Sequence, residues 1–197
     1  MSNDITNKTL ATLLVVAIAV SVIGTFLVVS KPSGITGAAQ TTGTGNVNLS
    51  ITGIIAIAVS GNINFGAGSV TAGQASATLD SSVVNATNGD WAFAAQYITI
   101  ENQGNKNVVL VANSGSTAAD FIGGTSPAQE IEGVAHGGGG CAAPAAYGAY
   151  STAGDKSICP VLAFAGTVDK VNAAVKLTIP SDAAVGAKGQ IITFTAS

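Results

Sequence analysis

The apolar positions of the chain form one unbroken run and a set of alternating stretches. Residues 10–29 carry no charge and are almost entirely apolar or small. A run of about 20 such residues has the length that a helix needs to cross a bilayer core. Pro32 and Gly34 follow the run, and both favour the end of a helix. We therefore predict a transmembrane helix or uncleaved signal anchor over 10–30, preceded by a short N-terminal segment, 1–9.

A cleaved signal peptide is the alternative to this anchor. Signal peptides have a basic start, a shorter apolar stretch and a site of small residues for cleavage. Here the first nine residues carry one Asp and one Lys, and 37–39 offers small residues for a cut. The N-terminal position of the run favours an external C-terminal domain. We expect a single-pass cell-membrane protein whose C-terminal domain is extracellular, or a domain secreted after cleavage.

Beyond the anchor, the pattern changes to alternation with period two. The segment 31–45 is rich in Gly, Ser and Thr, which predicts a flexible linker. From residue 46 six large apolar residues fall on odd positions, which is typical of a strand with one buried face. These are Val47, Leu49, Ile51, Ile55, Ile57 and Val59. A strand with so little charge is suited to pair with the sheet edge of a neighbouring molecule.

Later stretches alternate in the same way. The stretches 96–101 and 106–112 flank the turn residues 102–105 and predict a β-hairpin. The stretch 171–179 alternates up to Pro180, and 190–196 predicts a last strand. Many short strands separated by turns favour a mainly β fold, an antiparallel β-sandwich over 46–197, with a β-barrel as the alternative.

One Gly- and Ala-rich stretch, 133–159, breaks the alternation and predicts a long loop. Cys141 and Cys159 bracket it. In an exported domain two cysteines favour a disulfide, which would stabilise by about 3 kcal/mol in the chain-entropy estimate. A zinc site that adds His136 is the alternative, although zinc sites use four closely spaced ligands. We predict the disulfide and no metal site.

The composition narrows the classes of partner. Only 9% of the residues are charged, there is no Arg and the net charge is −3. Nucleic-acid binding needs a basic patch, so nucleic acid is excluded as a partner. From residue 32 onward there are five Lys and nine Asp or Glu, so the scarcity of charge belongs to the folded domain. We infer that this domain packs against neighbours.

No catalytic constellation emerges from the sequence. His136, the single histidine, precedes four consecutive glycines, which hold an imidazole poorly. Glu130 and Glu132 could act as paired carboxylates, but a solvated strand edge is the preferred interpretation. We therefore predict a protein that is not an enzyme, with no catalytic residues and no cofactor.

Three surface positions are candidates for recognition or modification. Trp91 follows the loop residues 88–90 and is a possible ligand surface, although such aromatics commonly belong to the core. Asn48 and Asn85 stand in Asn-x-Ser/Thr triplets and are possible glycosylation sites. Glycans would indicate an outer-surface location.

The strings 63–70 (INFGAGSV) and 177–186 (LTIPSDAAVG), with the ending 190–197, resemble exported β-sandwich surface domains. The similar families are the WxL-type surface domains and the archaeal pilin-like surface proteins. In place of the W-x-L signature the chain has Trp91-Ala92-Phe93. The resemblance implies an envelope-associated, non-catalytic role.

Two functions follow as expectations. The first is a membrane-anchored structural subunit of an envelope layer or a pilus-like filament, which associates with itself or with other envelope proteins. Its membrane contact would run through 10–30. The second is an anchored adhesin or ligand-binding module that uses Trp91 and the loop 133–159.

Overall fold

The computed structural model describes residues 7–29, 49–152 and 154–197. For residues 24–29 and 167 it describes the backbone only. The chain divides into two compact units, 1–49 and 50–197. The predicted linker 31–45 and Asn48 lie outside the described residues.

The described part of the first unit is a helix. This helix, α1, spans Asn7–Val29, and its side chains are exposed as far as they are described, to Ile23. Among the residues whose side chains are described, no helix combines the length and the apolarity that a membrane crossing requires. The prediction over 10–30 is therefore confirmed as a helix but not as a transmembrane one.

The described residues of the second unit form nine strands, one short helix and one 3-10 turn. The larger sheet contains β1 (Ile57–Ser60), β2 (Ser76–Asp80), β3 (Ile98–Asn102), β5 (Ala128–Ala135), β6 (Gly148–Ala149) and β8 (Lys170–Pro180). The smaller sheet contains β4 (Val108–Ser114), β7 (Lys156–Leu162) and β9 (Ile192–Ala196). The helix α2 (Ala118–Phe121) follows β4, and the 3-10 turn (Gly166–Val168) precedes β8.

Every strand pairing is antiparallel. The larger sheet has the order β1-β3-β8-β5-β6, and β2 pairs with β8 beyond the end of β3; the smaller sheet has the order β7-β4-β9. The long strand β8 organises the larger sheet because it pairs with β5 on one side and with β3 and β2 on the other. Its predicted alternation is confirmed.

The core lies between the two sheets. Buried residues of the larger sheet meet buried residues of the smaller sheet in one cluster, which includes Ile100, Ile131, Val171, Leu110 and Leu162. Both sheets are open, so the described residues form a mainly β, sandwich-like fold and not the closed-barrel alternative. The prediction of antiparallel β-structure is confirmed at this level.

The predicted hairpin at 102–105 is wrong. The two flanking strands, β3 and β4, belong to different sheets and do not pair with each other. Asn102 is the reason, because its side chain is buried at the corner and donates to the carbonyls of Lys106 (2.9 Å), Leu162 (3.2 Å) and Ala163 (3.2 Å). These bonds satisfy the buried amide at the corner where the chain crosses between the sheets.

The first predicted strand is shorter than its alternation suggests. Only Ile57–Ser60 forms a strand, along β3, and no strand is assigned to 49–56. Single backbone bonds continue beyond it, from the Gln103 amide to the Ala56 carbonyl at 2.9 Å and from the Asn105 amide to the Ile54 carbonyl at 3.1 Å. The turn residue Asn105 binds part of this stretch instead: its side chain accepts from the Ile54 amide at 2.6 Å and donates to the Thr52 carbonyl at 3.0 Å. Leu49 and Ile51 remain exposed.

The predicted loop 133–159 is partly regular. Its first residues belong to β5, its last to β7, and β6 lies between them. The disulfide Cys141–Cys159 joins it to β7, with a Cα–Cα distance of 5.8 Å, and both cysteines are buried. Because both thiols are consumed, the zinc alternative is wrong. No group of three or more ligand side chains that could hold a metal occurs in the described part of the chain.

Candidate functional site

An apolar groove runs along the free side of β9. Its volume is about 1110 Å³. Leu79 and Leu177 of the larger sheet and Ile192 and Phe194 of β9 contribute to its walls, and the loops 61–74 and 181–190 form its rims. Lys188 is the one charged residue among the described residues that line it. The groove is therefore an opening into the sandwich interior on the side where the smaller sheet ends.

The backbone of β9 presents unpaired groups to this groove. Ser197 and Val109 exchange both of their backbone hydrogen bonds, at 2.9 and 3.1 Å. Because antiparallel pairs alternate, the N–H and C=O groups of Ile192, Phe194 and Ala196 point the other way. No residue in the described part of the chain bonds to them. These three residues also face the core, yet each is only partly buried.

Trp91 is a wall of the groove. It is half-buried and packs against the core cluster. A Cβ added at Gly68 would lie 2.5 Å from the indole ring, so the loop 61–74 must carry glycine where it crosses the tryptophan. Trp91 therefore agrees with both interpretations of the sequence: it packs on the core, and it also lines the groove. Its use as a ligand surface stays a prediction.

Several ionisable side chains of the domain form a cluster on the outer face of the larger sheet. Asp80, Lys176 and Glu130 stand opposite one another on the adjacent strands β2, β8 and β5. The Lys176 ammonium lies 2.7 Å from the Glu130 carboxylate and 4.2 Å from the ring centre of Tyr147. The Tyr147 hydroxyl donates to Asp80 at 2.6 Å. The set forms a compact ion-pair and cation–π cluster.

This cluster shifts the pKa values of its members in opposite directions. Burial raises the pKa of Asp80, but the hydrogen bonds from Tyr147 and Ser82 outweigh it, so the pKa is lowered. Burial also raises the pKa of Glu132, and its bond to Tyr147 does not fully offset this. Burial and the bond to Asp80 raise the pKa of Tyr147. The cluster therefore holds Asp80 ionised and disfavours the ionised form of Glu132.

The preferred interpretation of Glu130 and Glu132 as a solvated strand edge is wrong. Their strand, β5, lies between β8 and β6, and Glu130 forms an ion pair with Lys176. Tyr147 and Asp80 were missed by the sequence analysis because they are far from β5 in sequence. Only the cross-strand register brings them together, and no local pattern encodes it.

His136 directly follows β5 in the chain. The side chain is half-buried, and its Nδ1 lies 3.0 Å from the Asn172 Oδ1. The Thr99 hydroxyl donates to the same oxygen at 2.9 Å. His136 is thereby held on the outer face of β8 by an amide, not by a carboxylate or a nucleophile.

Of the two possible glycosylation sites, the structure describes only Asn85. Asn85 is exposed and adopts a left-handed backbone conformation with φ of 63°, in a turn where its amide donates to the Phe93 carbonyl. Its side chain is accessible to a modifying enzyme. Asn48 lies outside the described residues. Occupancy of both sites stays a prediction.

In comparisons with protein-family models, with curated proteins and with solved structures, this chain finds no match.

Proposed function

We propose that the protein is a non-enzymatic, membrane-anchored cell-surface protein that serves as a structural subunit of an envelope layer or a pilus-like filament. The single observation that carries this proposal is the open side of the sandwich. There the unpaired edge of β9 borders an apolar groove whose described lining carries one charge. An open edge beside exposed apolar surface is the kind of site at which proteins associate.

Two further observations support an external location. The disulfide Cys141–Cys159 is typical of domains that fold in an oxidising compartment. The run 10–29 is uncharged and almost entirely apolar or small in sequence, and the described α1 side chains are exposed. We propose attachment through 10–30, with release by signal cleavage as the alternative.

Electron microscopy and light scattering of the purified full chain in detergent test the structural role. We expect ordered layers or filaments, with a mass that rises with concentration. A strictly monomeric protein at high concentration would contradict the role. The mass of the native N-terminal peptide tests the attachment: a start at Met1 or Ser2 supports a retained anchor, and a start near Gln40 supports a released domain.

The second candidate function is an anchored adhesin or ligand-binding module. Trp91 in the groove wall favours it, because clefts lined by aromatic and apolar side chains are common ligand sites. Quenching of the Trp91 fluorescence by a surface glycan or peptide, at concentrations where the chain is monomeric, would support this role over assembly.

A further inference from the structure

The free edge of β9 lacks the features that keep exposed strand edges from pairing. Proteins protect such edges with charged residues, proline, bulges, short length or a covering segment. The stretch 189–197 contains neither a charge nor a proline. By contrast, the outer strands of the larger sheet, β1 and β6, have only four and two residues. An unprotected edge of five residues, β9, invites a further strand.

The segment 46–52 has the pattern that this edge requires. Val47, Leu49 and Ile51 alternate with polar residues, so in a strand all three fall on one face. In the described part of this segment, Leu49 is 80% exposed and Ile51 is 77% exposed. Neither belongs to a strand. The two described apolar side chains of this strand face, Leu49 and Ile51, are therefore exposed.

We propose that the segment 46–52 of a second copy inserts beside β9 as a fourth strand of the smaller sheet. Its backbone would pair with the free groups of Ile192, Phe194 and Ala196, and its apolar face would fill the groove. The electrostatics agree, because the segment is uncharged and Lys188 is the one charged residue in the described lining. This inference rests on the proposed structural role and names the contact that would produce it.

The geometry of such a contact determines the form of the assembly. Each copy has one segment to give and one groove to fill, so the contact joins two different surfaces. Contacts of this kind propagate into open filaments unless the rotation between copies closes a ring. A reciprocal exchange of segments between two copies would close a dimer instead, so cross-linked species larger than a dimer distinguish the filament.

A pair of double variants tests the proposal on the full chain. In L49D/I51D, two charges stand on the face that enters the groove; in S50D/T52D, two charges stand at the same spacing on the other face. Because Leu49 and Ile51 are exposed, we expect both variants to fold as the wild type does, which circular dichroism checks. L49D/I51D should raise the concentration for half-assembly by more than about tenfold, and S50D/T52D by less than about twofold.

The outcomes separate the two proposals. If the wild type assembles and L49D/I51D assembles equally well, strand insertion is wrong while the structural role stands. If both double variants lose assembly to the same extent, the facial specificity that strand insertion requires is wrong. If the wild type remains monomeric, both the role and the insertion fail.

Disulfide trapping identifies the donor of the strand. In an inserted strand, Ser50 and the exposed Thr193 and Thr195 of β9 would lie on the same outer face. Neighbouring strands place such residues within disulfide range. S50C/T193C and S50C/T195C should give a ladder of cross-linked copies on non-reducing gels. S50C/V109C is the control, because Val109 lies on β4, which is flanked on both sides.

The trapping experiment also has a decisive negative result. A disulfide formed within one chain, seen as a monomer of altered mobility, would show that the occupant is not a second copy. Equal ladders from the control and the test pairs would show random contact and overturn the proposed register.

Discussion

The two edge strands of the smaller sheet, β7 and β9, have opposite surroundings. The outer edge of β7 is covered by the segment 140–145: the Ala145 amide donates to the Ile158 carbonyl at 3.0 Å, and the Ala163 amide donates to the Gly140 carbonyl at 2.9 Å. The disulfide fastens this segment to β7. The edge of β9 has no such cover among the described residues.

Burial follows the same division. Ile158 and Leu162 of β7 are completely buried, whereas Ile192 and Phe194 of β9 are only partly so although they face the same core. The chain itself therefore completes the sandwich on the β7 side and leaves it incomplete on the β9 side. We therefore expect substitutions on the completed side to cost the monomer more stability than substitutions on the incomplete side.

The largest expected effect comes from truncating one isoleucine on each side. I158A should lower the free energy of unfolding by about 3–4 kcal/mol, because it leaves a cavity in a sealed core. I192A should cost the monomer only about 1 kcal/mol, since its site is partly open. Urea unfolding at low concentration measures both values. Equal losses would contradict the comparison.

Removal of the disulfide should have a slightly smaller effect. C141A/C159A opens a crosslink over 18 residues, and we expect a loss of about 3 kcal/mol with exposure of the β7 edge. Thermal unfolding with and without reductant measures the loss. The wild type under reductant is the control, and the double variant should not respond to the reductant. Unchanged stability of the variant would show that 140–145 holds to β7 by hydrogen bonds alone.

The corner residue of the completed side should rank third. N102A removes the side-chain donor to the Leu162 and Ala163 carbonyls at the corner, so we expect a loss of about 2 kcal/mol. N105A is the matched control, because Asn105 belongs to the same turn but is exposed, and it should cost less than about 1 kcal/mol. Chemical denaturation distinguishes the two. A larger loss of unfolding free energy in N105A than in N102A would show that Asn102 does not provide the main corner contact.

The smallest effect concerns the cluster on the outer face, away from both edges of the smaller sheet. The pKa of Glu132 is raised above its ordinary value of 4.5, so the folded state binds this proton more tightly than the unfolded state. Its contribution to stability is therefore greatest below that value and is lost as the pH rises through the raised pKa. E132Q should remove this decline in a series of urea unfolding curves.

Asp80 should behave in the opposite sense within the same series. Its pKa is lowered from 3.8, so its contribution is present above that value and is lost as the pH falls through the lowered pKa. Y147F removes the donor to Asp80 and should raise its pKa, which carboxyl NMR measures. E101Q is the control, since Glu101 pairs with Lys170 at a separate place on the sheet. An unchanged Asp80 titration would show that Tyr147 does not set its pKa.

Local pattern predicted much of the fold and little of the candidate site. The alternation in 171–179 is sufficient for β8, because a strand of that length with one apolar face has no other way to bury it. The pairing of Cys141 with Cys159 also followed from the sequence, since an exported chain with two cysteines has one partner for each. By contrast, the turn 102–105 was misassigned, because the contacts that decide it come from residues about 60 positions away.

The sequence by itself determined that this is a mainly β domain that is poor in charge and has one disulfide. It also determined that an uncharged apolar run, which forms a helix, precedes this domain. Those properties depend on composition and on neighbours along the chain. Only the tertiary structure decided which edges are covered and which is open. The physical reason is that an edge is satisfied by backbone groups from distant segments, such as 140–145 on β7, and side-chain pattern does not specify that pairing.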